Sequence, residues 1–127
     1  MEPYKKIANL LWETSSSNHA STAKLDIMPK NVNKLLVANR GEIALRVVRT
    51  AREMGIPTVA VYAEQDRHAQ YVQMADDAYL LSGDTYKDTY LNEDLLIDIL
   101  QRSGADAVHP GYGFLSEVAS FAQKVLD

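Results

Sequence analysis

The sequence has no cysteine, so disulfides, thiolate nucleophiles and Cys-type zinc sites are excluded. It has no apolar run near the roughly 20 residues that a membrane span needs. Its N-terminus lacks the apolar core and cleavage pattern of a secretory signal. Basic residues are the minority, 13 against 17 acidic, for a net charge of −4. No broad basic footprint exists to meet phosphates, which argues against a nucleic-acid partner. What is present is ordinary for a soluble, cytoplasmic protein: 127 residues, 46% hydrophobic and 24% charged. One domain with a real but modest core is expected.

Two regions differ in character. Residues 1–33 hold a short apolar cluster, Ile7, Leu10, Leu11 and Trp12, followed by a Ser/Asn/Thr-rich stretch from Thr14 to Thr22. They read as a flexible extension. A docking helix or a targeting segment are the alternatives, and the lack of arginine there counts against a transit peptide. From Lys34 the pattern sharpens. KLLVA is a first strand, and EIALRVVRTAREMG is a helix whose buried stripe is read as Ile43, Val47, Ala51 and Met54, with Gly55 as its left-handed terminator. IPTVAVYAE is a second strand, His68 to Met74 a short helix, and AYLL a third strand. NEDLLIDILQRSG is a helix capped by Asn92 and closed by Gly104. ADAVHP is a fourth strand, and SEVASFAQKVLD a last helix with Ser116 as its cap. Short, continuously apolar strands alternating with helices imply a doubly wound, Rossmann-like α/β domain with a parallel sheet of about four strands.

In such sheets ligands bind beyond the carboxyl ends of the strands. Two loops are expected there. ANRGE, residues 38–42, joins the first strand to the first helix. Its backbone N–H groups can meet an anion, but the G-x-G-x-x-G fingerprint is absent. Glu64 and Asp66 sit roughly where a dinucleotide fold keeps its ribose-binding acid. The plainer reading is that Asn39 and Gly41 make a tight strand-to-helix turn. HPGYGFLSE, residues 109–117, is the second loop. Gly111 and Gly113 permit positive φ or close approach, Pro110 stiffens the entry, and Tyr112 and Phe114 are expected to face different environments. His109 reads either as an acid/base or as a structural hydrogen-bonder. Glu117, placed in the first turn of the last helix, either complements the helix dipole or stands as a carboxylate at the rim of a site. Arg46, Arg49 and Glu53 share one helical face away from the apolar stripe. That face is either solvated or an interface. These residues name no reaction and no metal cluster.

The stretch KLLVANRGEIALRVVRTAREMGIPTVAVYAEQDRHAQYVQMADDAYLL, then TYLN, then GADAVHPGYGFLSE, resembles the N-terminal domain of biotin carboxylase. The resemblance covers residues 34–127, and its details look most like the α-chain of actinobacterial acyl-CoA carboxylases. It implies a ligase that uses ATP and Mg²⁺ to activate bicarbonate and carboxylates biotin on a carrier protein. It implies the Rossmann-like "pre-ATP-grasp" fold, with nucleotide and metal held mainly by a following ATP-grasp domain. The resemblance places the loop of His109, Gly111, Tyr112 and Gly113 near biotin, Glu117 at the same site, and Arg46, Arg49 and Glu53 at a homodimer interface. Partners implied are the ATP-grasp and C-terminal domains and the biotin carrier and carboxyltransferase subunits. The acyl acceptor stays open, since acetyl-CoA, propionyl-CoA and pyruvate carboxylases share this opening domain.

The family usually has Asn after the loop's Glu, where this sequence has Val118. Residues 1–33 have no evident match. The chain is therefore expected to be a fragment of a biotin carboxylase, inactive alone. The competing expectations are a stand-alone binding module that pairs with carboxylase subunits through the Arg46/Arg49/Glu53 face, and a small nucleotide-binding protein.

Overall fold

A computed structural model describes residues 32–127; the expectations for residues 1–31 lie outside the described residues. Four strands form one wholly parallel sheet: β1 (Leu35–Val37), β2 (Thr58–Tyr62), β3 (Asp77–Leu80) and β4 (Ala107–His109). They are connected by α1 (Gly41–Glu53), a short helical turn at Glu64–Asp66 with α2 (Gln70–Met74), and α3 (Glu93–Ser103), and the described chain closes with α4 (Ala119–Leu126). The strand order is β3-β2-β1-β4. The chain thus winds outward from β1 to β3 and then returns to the other side of β1, so the winding reverses between β1 and β4. No helix among the described residues is long and apolar enough to cross a membrane.

The two-residue strand period sorts the core into two layers. Leu35, Val37, Ala60 and Ala107 face one side, where they pack with Ala44, Leu45, Val48 and Ala51 of α1 and Tyr71 of α2. Leu36, Val59, Val61 and Val108 face the other, against Leu96, Ile99 and Leu100 of α3 and Phe121 and Val125 of α4. The fully buried strands β1 and β4 and nearly buried β2 are the continuous apolar runs. β3 is the exposed edge. Each buried Leu, Ile or Val contributes about 1.5–3 kcal/mol. Val32 also packs in the first layer, and the Asn33 amide donates to the Asp106 carboxylate.

The structure corrects three local expectations. The buried stripe of α1 is Ala44, Leu45, Val48 and Ala51; Ile43, Val47 and Met54 are only half-buried. The helix is rotated so that its smallest residues meet the sheet, which lets it approach closely above Ala60 and Ala107. Ser116 does not cap the last helix; Val118 occupies that position. Glu117 consequently lies in a turn before α4, not in its first turn. The caps of α3 are as expected: the Asn92 side chain accepts from the Leu95 N–H at 3.1 Å, and Gly104 is left-handed. Such an N-cap stabilises by about 1 kcal/mol.

Candidate functional site

The winding reverses between β1 and β4, and ligands of such sheets bind beyond the carboxyl ends of the strands at this point. The loops that leave β1 and β4 there are the two that the sequence singled out. They are bound together by one buried side chain. Asn39 follows β1, is wholly buried, and donates its amide to the Pro110 carbonyl at 2.7 Å and the Tyr112 carbonyl at 2.6 Å. Its oxygen accepts from the Arg40 N–H at 2.8 Å. One step lower, the Ala38 N–H donates to the His109 carbonyl at 2.9 Å. The sheet ladder therefore continues as side-chain bonds into the loop. The plain reading of Asn39 as a turn residue misses this clamp, because the partner carbonyls lie some seventy residues away.

The loop itself is held in an unusual path. Gly111 has φ +67°, and a Cβ there would stand 2.6 Å from Ile43 Cγ2 and 3.0 Å from Asn39 Nδ2. It needs glycine for both backbone and space. Gly113 (φ +63°) and Gly41 (φ +60°) need it for the backbone alone. Phe114 also has positive φ, +42°, where a bulky side chain is a genuine outlier. The His109 ring is buried, and its Nδ1 accepts the Gly111 N–H at 3.0 Å. This bond is the kind that the structural one of the two readings of His109 expects. Tyr112 and Phe114 diverge as expected: Tyr112 is 51% exposed, while Phe114 packs on the α3/α4 layer. Glu117 is exposed beyond them.

A buried polar network lies beside these loops. Asp66, only 7% exposed, accepts from Arg40 Nε and Nη2, both at 2.7 Å, and from the Tyr90 hydroxyl at 2.6 Å. The Tyr90 oxygen accepts the Ala63 N–H at 2.9 Å and lies 3.0 Å from the Tyr71 hydroxyl. The Arg40 hydrogen bonds hold the Asp66 carboxyl below its usual range, and the same bonds raise the Arg40 guanidinium. Burial first, and the bond to Asp66 second, push Tyr90 up to about 12. Burial likewise raises Tyr71. Asp66, read as a candidate ribose acid, is thus already engaged by Arg40 and Tyr90. Glu64, its companion in that reading, pairs with Arg67 at 2.7 Å.

Arg46, Arg49 and Glu53 lie on the exposed face of α1, and no ion pair joins Arg49 to Glu53 among the described residues. The structure does not bring this face together with the loops. Among the described residues no group of three or more His, Asp or Glu is placed to hold a metal ion.

A family model described as the N-terminal domain of biotin carboxylase matches residues 31–127. The chain is 54% identical over 96 residues to the biotin-dependent acyl-coenzyme A carboxylase alpha3 subunit of Mycobacterium leprae, which covers 76% of this chain and 16% of that subunit. The crystal structure of the biotin carboxylase subunit of pyruvate carboxylase is similar with a TM-score of 0.72 and 54% identity, over 75% of this chain and 21% of that one. The biotin carboxylase domain dimer of Hydrogenobacter thermophilus 2-oxoglutarate carboxylase, in complex with MgADP, ADP and bicarbonate, gives 0.70 and 51% over 72% and 20%. The chain spans between 16% and 21% of the length of these relatives.

Proposed function

The chain belongs to the biotin carboxylase N-terminal domain family, and from that premise we propose that it forms one wall of a biotin carboxylase active site. The reaction is the ATP-dependent carboxylation, with bicarbonate, of biotin borne on a carrier protein. The observation that carries the reading is the His109–Glu117 loop. It sits at the reversal point of the sheet, locked by Asn39, and it turns Tyr112 and Glu117 outward.

In this reading the exposed Tyr112 ring orients the biotin carrier's bicyclic group, and Gly111 and Gly113 let backbone approach it. Asn39 and His109 fix the loop from behind. Glu117 is the carboxylate at the rim. Nucleotide and metal are assigned to other parts of the enzyme, such as an ATP-grasp domain. The MgADP and bicarbonate in the 2-oxoglutarate carboxylase domain support that cofactor set. The acceptor is not set by this domain. An acyl-CoA carboxylase and a pyruvate carboxylase match it at the same 54% identity. The Arg46/Arg49/Glu53 face is assigned to a twofold contact, and the carrier and carboxyltransferase subunits are the further partners.

The test replaces the matching domain of a relative's biotin carboxylase with residues 31–127 and measures biotin-stimulated, bicarbonate-dependent ATP cleavage. The hybrid is expected to turn over, and Tyr112→Ala is expected to raise KM for biotin by about tenfold or more while leaving KM for ATP unchanged. Arg49→Glu in the same hybrid is expected to shift sedimentation from dimer toward monomer. A folded hybrid without biotin-stimulated cleavage, or turnover by the 127-residue chain alone, sinks the reading.

A further inference from the structure

We propose that Asp66 and Tyr90 are positioning residues for the His109–Glu117 loop, acting through Arg40 on one side and Phe114 on the other. The proposal rests on the functional reading above for its purpose, though not for its geometry.

The two grips on the loop meet in one circuit. Asn39 holds Pro110 and Tyr112, and its oxygen holds the Arg40 N–H. The Arg40 guanidinium forks onto Asp66 and lies over the Tyr86 ring at 5.9 Å from its centroid. Asp66 accepts from Tyr90. The Tyr90 and Tyr86 rings then clasp Phe114, with centroids 5.2 and 5.3 Å away. Tyr86 and Tyr90 also meet edge to face at 5.9 Å. Phe114 is the residue with positive φ. Such a conformation persists only where its surroundings over-determine it, and these two rings belong to those surroundings beside the α3/α4 layer.

The direction of the Tyr90 ring is set by polar contacts at its far end, while Tyr86 is held through its ring face by Arg40. The Tyr90 oxygen is fixed by Asp66, Ala63 and Tyr71. Tyr71 in turn donates toward the Val61 carbonyl at 2.8 Å. Two hydroxyl protons serve three close contacts, Tyr71 to Val61, Tyr71 to Tyr90 and Tyr90 to Asp66. The Tyr90 proton is committed to the carboxylate, which leaves the Tyr71 proton to serve both the Val61 carbonyl and the Tyr90 oxygen. A network of this kind is poorly suited to stability for its own sake, since apolar residues of similar volume serve as well. It is well suited to holding one ring at one angle. Its location, directly behind a strained loop at the reversal point of the sheet, matches that use.

The experiment compares amide hydrogen exchange, read by NMR in the full 127-residue chain, for the wild type, Tyr90→Phe and Arg40→Lys. The reporters are the bonded amides of Gly111 and Ser116 in the loop, against those of Val59 to Val61 in the sheet. Tyr90→Phe keeps the ring and removes the contact to Asp66. It is expected to speed loop exchange by about tenfold or more, with the sheet amides within about twofold of wild type. Arg40→Lys keeps the charge and loses the fork. It is expected to act in the same direction, and at its half-buried position it supplies the reading should Tyr90→Phe not fold. Unchanged loop amides overturn the proposal. So does a rise shared equally by the sheet, which makes the network merely structural. In the hybrid enzyme, Tyr90→Phe is expected to lower kcat/KM for biotin and leave KM for ATP unchanged. Faster loop exchange in a chain whose wild-type hybrid shows no biotin-stimulated cleavage removes the functional reading and leaves the positioning intact. Slow exchange with an active hybrid does the reverse.

Discussion

The two ends of the parallel sheet solve the same problem in different ways. At the amino end, strand starts must satisfy their free backbone donors, and exposed or half-exposed carboxylates do it locally. Asp106 accepts from the Asn33 and Lys34 amides at 3.0–3.2 Å, and Asp76 accepts from the Thr58 amide at 2.8 Å. Lys34 joins Asp77 and the Ser103 carbonyl, each at 3.1 Å. Positive φ on this side belongs to Gly55 and Gly104, which end helices. At the carboxyl end the groups are buried, shared and strained. Asn39, Asp66 and His109 are each less than a tenth exposed, and positive φ falls on Gly111, Gly113 and Phe114 within one loop. The first arrangement terminates strands. The second over-determines a shape, which is what a site requires.

The largest break in this contrast comes from Gly111→Ala. The new methyl group meets a stiff β-branched side chain at 2.6 Å and the clamp amide at 3.0 Å, on a backbone at φ +67°. Strain and overpacking together are expected to cost about 3 kcal/mol. Gly41→Ala has nearly the same φ, +60°, and open space around it, so only the backbone term of about 1 kcal/mol remains. Urea unfolding of both variants separates close approach from torsion. Equal losses contradict the packing that places Asn39 and Ile43 against the loop.

The next effect is smaller and depends on pH. Asp66→Asn removes the charge that faces Arg40 and is expected to cost about 2 kcal/mol at neutral pH. The Asp66 carboxyl is held below its usual range by Arg40. Its contribution is fully present above the unfolded value of about 3.9 and is lost as pH falls through the lower folded value. The stability gap between wild type and Asp66→Asn therefore narrows as pH falls below that unfolded value. Tyr90 supplies the alkaline counterpart. It is raised to about 12 in the fold, so its contribution is complete below about pH 10, the unfolded value, and is lost as pH rises through 12. Urea midpoints from neutral to strongly acid conditions read the first limb, and a constant gap would falsify the assignment of that limb to Asp66.

This pair of residues also shows what was legible in the chain. The alternation of short apolar strands and helices is local, and it led to the parallel four-stranded sheet and to both loops at its carboxyl end. Gly55, Asn92 and Gly104 were legible because caps act within a few residues. Of the expected stripe of α1 only Ala51 is buried; Ile43 and Val47 are more hydrophobic than Ala44, yet close packing on Ala60 and Ala107 turns Ala44, with Leu45 and Val48, to the sheet. Ser116 fits a cap by type, but the chain makes a further turn before α4, which also carries Glu117 away from the helix start. The circuit of Arg40, Asp66, Tyr90 and Phe114 was invisible, since its members are separated by 24 to 26 residues in their closest sequence links. Asp66 drew attention only as a carboxylate at a strand end. Its actual partners required the sheet order.

The smallest effect sharpens the comparison from the opposite end. Asp106→Ala strips the caps from the Asn33 and Lys34 amides at the amino edge. These amides can turn to water, because Asn33 is exposed and Lys34 and Asp106 are only half-buried. The expected loss is therefore about 1 kcal/mol, without the penalty of an orphaned buried donor. Exchange at Gly111 and Ser116 is expected to stay within about twofold of wild type, even though β4, which Asp106 immediately precedes, runs straight to the loop. Thermal unfolding and the loop amides are read in the same sample. A loop loosened by Asp106→Ala as much as by Tyr90→Phe means that strand anchoring at either end sets the loop. The carboxyl-end network then has no special part in it.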